Sequence, residues 1–155
     1  MSSPSERLAD LGLTLPDVPI PAGAYVPAMV IGGAARCSGQ LPFANGSLSA
    51  VGIVSDDGPV TPAIAAAAAR IAALNGIAAI ANVAGGIDRI SRITKVVGYV
   101  ASAADFTAHP TVINGASELL GEVFGDAGVH VRVAVGVASL PLGAPVEIEI
   151  EALVN

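Results

Sequence analysis

Hydrophobic positions near the end of the chain alternate with period two. Across residues 130–138, Val131, Val133, Val135 and Val137 fall on one face of an extended segment, and Arg132, Ala134, Gly136 and Ala138 on the other. After a Pro/Gly-rich turn, Ile148 and Ile150 alternate with Glu147, Glu149 and Glu151. Residues 130–152 thus read as two strands joined by a turn. The first carries one long cation on a face of small residues, which leaves room beside the guanidinium for a small molecule. The second carries a row of carboxylates, which repel one another unless they meet water, cations or another chain. Taken alone, a strand arginine reads as a solvated or salt-bridged surface group. Glutamate alternating with isoleucine reads as the wet face of an antiparallel sheet.

Upstream the pattern changes period. Residues 4–11 suit a short amphipathic helix, with Ser3 or Ser5 as cap and Gly12 as stop. Pro16, Pro19 and Pro21 predict an extended run to Gly23. A strand opening at Tyr25 reaches Gly32-Gly33, which turns the chain into a second strand over Ala34–Gly39. Asn45-Gly46 marks another turn, and Leu48 to Ile53 a short strand or loop. Thr61 and Pro62 open a long helix that stops at Gly85-Gly86. Its larger side chains spread over a broad arc, while its alanines permit close approach to a sheet. Ile93–Val100 is a β-branched strand, and Thr111–Phe124 a helix with Ile113, Leu119, Leu120 and Val123 as its core side. The order of β-hairpin, helix, strand, helix and two strands predicts an α+β domain with helices on one face of a mixed sheet. No repeat or linker divides residues 1–155; residues 1–20 form an N-terminal helix and extended segment of the same domain.

Composition narrows the functional classes. Only 13% of residues are charged against 53% hydrophobic, so an oligomer is expected to bury the apolar excess. The net charge of −6 argues against broad phosphate-backbone binding. Residues 62–85 are long and apolar, but Arg70, Asn75 and Asn82 interrupt them; a buried helix is expected, not a membrane span. The N-terminus lacks a signal-peptide pattern, and the single Cys37 excludes an intrachain disulfide, which suits the cytoplasm.

Metal-ligand spacing, P-loop and dinucleotide fingerprints are missing. Cys37 is expected to face the core, and His109 and His130 to be surface or loop residues. Any catalysis would use Arg, Glu, Tyr, Asn, backbone groups and water. That set suits a small carboxylate substrate: an arginine takes the carboxylate bidentately and a carboxylate handles a water molecule.

The segments Gly23-Ala24-Tyr25-Val26, Ser38-Gly39-Gln40-Leu41-Pro42, Val112-Ile113-Asn114, Val131-Arg132 and Leu140-Pro141 through Val146-Glu147-Ile148-Glu149 occur in an order that resembles the RidA/YjgF family. These proteins are also labelled endoribonuclease L-PSP or reactive intermediate deaminases. The resemblance spans roughly residues 20–154. It implies a chorismate-mutase-like α+β fold and a homotrimer with interfacial pockets. The implied activity is hydrolysis of enamines and imines to ketoacids and ammonia, with no metal or organic cofactor. Carried over by position, Arg132 would hold the substrate carboxylate and Glu147 would position water, with Tyr25, Asn114, Gln40 and the backbone at Ala134 lining the pocket. Two departures stand out: Ala134 replaces a cysteine common in the family, and residues 108–110 extend a stretch that is shorter in the best-known members. A non-catalytic trimer that binds a ketoacid is the alternative, and RNA cleavage a weaker one.

Overall fold

The computed structural model describes residues 2–155 and shows a five-stranded sheet with two long helices on one face. Helix α1 (Pro4–Asp10) opens at Ser3, whose hydroxyl accepts the Glu6 N–H while the Glu6 carboxylate accepts the Ser3 N–H. Strands β1 (Ala28–Ile31) and β2 (Ala34–Cys37) form the expected hairpin, with Gly32 and Gly33 at φ 57° and 80°. Both values lie in the left-handed region that a two-residue turn requires. The first strand begins at Ala28, not Tyr25, because Pro27 has no N–H to add to a ladder.

Strands β3 (Phe43–Ala44) and β4 (Ser47–Leu48) turn through Asn45-Gly46. The Asn75 amide donates to the Leu41 and Phe43 carbonyls, pinning this small hairpin to helix α2 (Pro62–Ala84). Thr61 caps α2 through the Ile64 N–H, and Gly85 closes it at φ 87°. Strand β5 (Ile90–Ala101), helix α3 (His109–Phe124) and strand β6 (Val131–Val137) form a parallel crossover unit, and β7 (Val146–Val154) closes the sheet. Helix α3 begins two residues before its expected start, with Pro110 in its first turn.

The sheet order is β1-β2-β7-β5-β6. The two closing strands are joined by a turn, as expected, but they are not neighbours. Because β6 returns parallel to β5 through α3, it takes the outer edge. The chain then crosses the end of β5, where the Ala101 N–H donates to the Pro145 carbonyl at 2.9 Å, and β7 enters on the other side. This ordering sets which side chains can meet.

Helices α2 and α3 bury Val96, Val100, Ile148 and Ile150 on one sheet face. The opposite face is open, and there Val131, Val133 and Val135 are 67%, 42% and 39% exposed. Period-two logic alone would bury these valines. Instead the small Ala134 and Gly136 let α3 approach the Arg132 side, and the valines lie on the uncovered face. Among the described residues, α2 is the one helix long and apolar enough to cross a membrane; more than half of that stretch is buried inside the fold.

Gly115 makes the α2–α3 contact possible, since a Cβ there would collide with the Ala66 carbonyl oxygen. Backbone cannot yield as a side-chain tip does. Gly115→Ala is therefore expected to destabilise the fold by about 1–3 kcal/mol, the usual scale of overpacking, read as a lower midpoint in urea unfolding.

Candidate functional site

Arg132 leaves β6 on the helix side, paired in parallel register with Val96. Its Nη1 donates to Asn114 Oδ1 at 2.9 Å and to Ser117 Oγ at 3.1 Å, and its Nη2 donates to the Pro110 carbonyl at 3.3 Å. Asn114 and Ser117 lie three apart on α3, so they share one helix face. All three partners are neutral oxygens. Among the described residues the ion pair present is Arg70–Glu122; no carboxylate pairs with Arg132. A lone strand arginine is usually solvated or salt-bridged. This one is half-buried and held by neutral acceptors, with no carboxylate paired to it.

His130 extends the arrangement. Its Nδ1 lies 2.5 Å from the Gly128 carbonyl, which can only accept, so Nδ1 carries the hydrogen. In the neutral ring Nε2 then accepts from the Ser117 hydroxyl at 3.0 Å. Ser117 receives from Arg132 and gives to His130, a directional chain that fixes the guanidinium. Sequence reasoning missed Ser117, and it placed both histidines among surface or loop residues. His130 does lie in the loop before β6, where it joins this hydrogen-bonded series, while His109 is the first residue of α3. The available signal was spacing: Ser117 follows Asn114 by one helical turn. A cavity of about 270 Å³ lies here, bordered by Ser117, Gly121, His130 and Arg132. Ala134, next on the same strand face, packs partly buried against the core.

A second cluster lies on the open sheet face. Antiparallel register pairs Glu147 with Tyr99, and the Tyr99 hydroxyl donates to Glu149 Oε1 at 3.4 Å. The Glu147 carboxylate rests on Gly39, where any side chain would strike it. Gln40 is joined to Ile148 by two backbone hydrogen bonds of 2.8 and 3.0 Å, and its Nε2 donates to the Ser38 carbonyl. The Ser38 hydroxyl donates to the Val26 carbonyl at 2.7 Å, which brings the exposed Tyr25 segment to the same end of the sheet. Burial, and then repulsion from Glu149, raises the Glu147 carboxyl above its ordinary value. Burial, followed by the two glutamates, likewise raises Tyr99.

The predicted site residues therefore sort into two groups. Arg132, Asn114 and Ala134 gather between α3 and the edge strand. Tyr25, Gln40 and Glu147 gather at the β2–β7 end of the open face. Val96 and Tyr99 point to opposite faces of β5, and Arg132 pairs with the first while Glu147 pairs with the second. One chain cannot bring both groups into a single pocket.

Cys37 faces the core, as expected. Its Sγ accepts the Ile150 N–H, and burial pushes its thiol up to about 11, which leaves it protonated and inert. Among the described residues, no three His, Cys, Asp or Glu side chains are grouped to hold a metal ion.

Comparison with known proteins decides the lineage. A family model described as "YjgF/chorismate mutase-like, putative endoribonuclease" matches residues 5–151. The chain belongs to this YjgF family. Its α+β fold is the chorismate-mutase-like fold that the motifs implied. The solved structure of Atu1372 from Agrobacterium tumefaciens, a protein of unknown function, is similar at 40% identity and a TM-score of 0.86, covering 98% of this chain and 92% of that one. A protein from Shewanella oneidensis MR-1, described as a putative endoribonuclease, is similar at 33% identity and a TM-score of 0.92, covering 99% and 100%. TdcF of E. coli, solved with bound serine, is similar at 25% identity and a TM-score of 0.63, covering 89% and 94%. Among curated proteins, Protein TCP17 of Trypanosoma cruzi is 52% identical over 52 residues, 33% of this chain and 32% of that protein's length. That stretch is about a third of the relative.

Proposed function

We propose that the protein hydrolyses small 2-imino or enamine acids to 2-ketoacids and ammonia. It would act in the cytoplasm as a homotrimer whose pockets lie between subunits. The observation that carries this reading is Arg132, a cation oriented by Asn114, Ser117 and Pro110 with no carboxylate paired to it. A structural relative, TdcF of E. coli, was solved with bound serine, itself a small molecule with a carboxylate. The exposed valines of β6 support assembly through the open face.

In this mechanism the substrate carboxylate takes the free N–H groups of Arg132. Glu147 of a neighbouring copy holds a water molecule and accepts its proton as the oxygen attacks the imine carbon. Backbone groups near Ala134 complete the pocket. The nitrogen receives that proton, and as the C–N bond of the carbinolamine breaks, the Glu147 carboxylate takes the hydroxyl proton, so that ammonia leaves and the ketone forms. No metal or organic cofactor is needed, because the C=N carbon is already electrophilic. Two copies are required, since Arg132 and Glu147 occupy opposite faces of one sheet.

The test combines two measurements. Ammonia release is followed after an amino-acid oxidase generates imino acids in situ, and the mass in solution is read by light scattering. Acceleration by a trimer is expected. A stable monomer at micromolar concentration would remove the shared pocket and this mechanism with it. Ketoacid binding without faster ammonia release would assign a metabolite-binding trimer instead. With a net charge of −6, RNA cleavage gains no electrostatic support.

A further inference from the structure

Between α3 and the edge strand lies a second polar pocket that the proposed hydrolysis does not use. Ser102 follows β5 directly and His109 opens α3. Ser102 Oγ and His109 Nε2 lie 3.0 Å apart, and the edge of one ring meets the face of the other between Phe106 and His109, at 5.4 Å and 84°. Gly136 of β6 makes room for the pair: a Cβ there would come within 2.5 Å of His109 Nε2 and 3.1 Å of Ser102 Oγ. A cavity of about 350 Å³ opens beside them, bordered by Ser102, Ala103, Phe106, His109, Gly136 and Ala138. His109 belongs to residues 108–110, the stretch that is longer here than the resemblance implies for the best-known members.

This pocket and the Arg132 cavity are bordered by different residues, but both lie along α3. Arg132 Nη2 reaches the Pro110 carbonyl, and Pro110 follows His109, so guanidinium and imidazole flank the same first turn of α3. On β6 the helix-side residues between them are Ala134 and Gly136, a floor without bulk. The pair also has defined chemistry. If Nε2 accepts the Ser102 hydroxyl, the neutral ring keeps its hydrogen on Nδ1. If Nε2 donates, the Ser102 hydroxyl keeps a hydrogen to turn outward. Either way one donor remains for an incoming acceptor.

We infer that Ser102 and His109 form a specificity subsite, and that the substrate class is 2-imino acids whose side chain ends in a hydrogen-bond acceptor such as a carboxylate or carboxamide. The inference rests on the carboxylate assignment of Arg132. The α-carboxylate lies at Arg132, the reacting carbon over Ala134, and the side-chain acceptor at Ser102 and His109.

The experiment compares binding of 2-oxobutanoate, with an apolar end, and 2-oxoglutarate, with an acceptor end, by titration calorimetry on the full-length assembly. The wild type should favour 2-oxoglutarate at least about tenfold, the scale of one hydrogen bond to a charged group. That ratio should fall toward one in Ser102→Ala and in His109→Ala. It should fall likewise in Gly136→Ala, where the added methyl displaces both side chains. His109→Gln, which keeps a donor and an acceptor, should recover part of the ratio. Equal affinity for the two ketoacids in the wild type overturns the subsite, as does a preference that survives in all three alanine variants. Failure of the underlying reading looks different: neither ketoacid binds, and Arg132→Ala changes nothing.

Discussion

Arg132→Ala is expected to abolish imine hydrolysis while the protein stays folded. The guanidinium contributes its three hydrogen bonds to Asn114, Ser117 and Pro110 at the mouth of a groove, where water can replace it. The apolar core lies beneath, in Ile93, Val96, Ile113 and Leu120, and does not depend on the charge. Losing a charge-assisted carboxylate contact in a shared interface costs on the order of 2–5 kcal/mol, which is about thirtyfold to several thousandfold in kcat/KM. Arg132→Lys should also largely fail. An ammonium has no planar fork, and it cannot reach Asn114, Ser117 and Pro110 while still presenting two N–H groups to a ligand. Ammonia release and ketoacid affinity read the loss, and circular dichroism reads the fold. Full activity in Arg132→Ala would make the arginine a surface residue.

Glu147→Gln should lower kcat by roughly 10²-fold or more, the scale of a positioned general acid–base group. Ketoacid affinity should change little, because Arg132 still holds the carboxylate. A water-activating Glu147 must be ionised, and its folded value lies above 4.5, raised by burial and then by Glu149. Activity should therefore fall as pH drops through that raised value, with an acid limb above the ordinary carboxylate range. Stability runs the other way. A raised carboxyl makes the folded chain hold its proton more tightly than the unfolded one. That contribution is complete below the unfolded value and is lost as pH rises through the folded one. Glu147→Gln should then gain heat stability over the wild type at pH 7 and gain none at pH 4. Glu149→Gln and Glu151→Gln should be much milder for catalysis. Should Glu147→Gln keep its rate while Glu149→Gln loses it, the water-handling carboxylate stands two residues further along the strand. If all three variants stay active, no carboxylate of β7 handles the water.

Much of this protein is local in origin and was legible without coordinates. Gly32-Gly33 makes a tight turn because glycine adopts two successive positive φ angles at little cost. Thr61, Pro62 and Gly85 bound α2 by capping chemistry within one turn of each end. The alternation of Glu147, Ile148, Glu149 and Ile150 follows from strand geometry, and the isoleucines are buried as it requires. The motif order was enough to point to the YjgF family. Arg132 could be singled out because one long cation stood among small residues.

What alternation cannot carry is the relation between strands. Parity along β6 separates valines from Arg132, but covering one face and opening the other depends on where α3 crosses. Parity along β7 separates glutamates from isoleucines, but only pairing with β5 compares that strand with β6. Arg132 is opposite Val96 and Glu147 is opposite Tyr99, three residues apart on β5, and an odd separation places them on opposite faces. The contacts of Ser117 with His130 and of Ser102 with His109 likewise join α3 to the residues that flank β6 and β5. Such meetings are set by crossover and register, which are properties of the assembled sheet and are not written in any single stretch of chain.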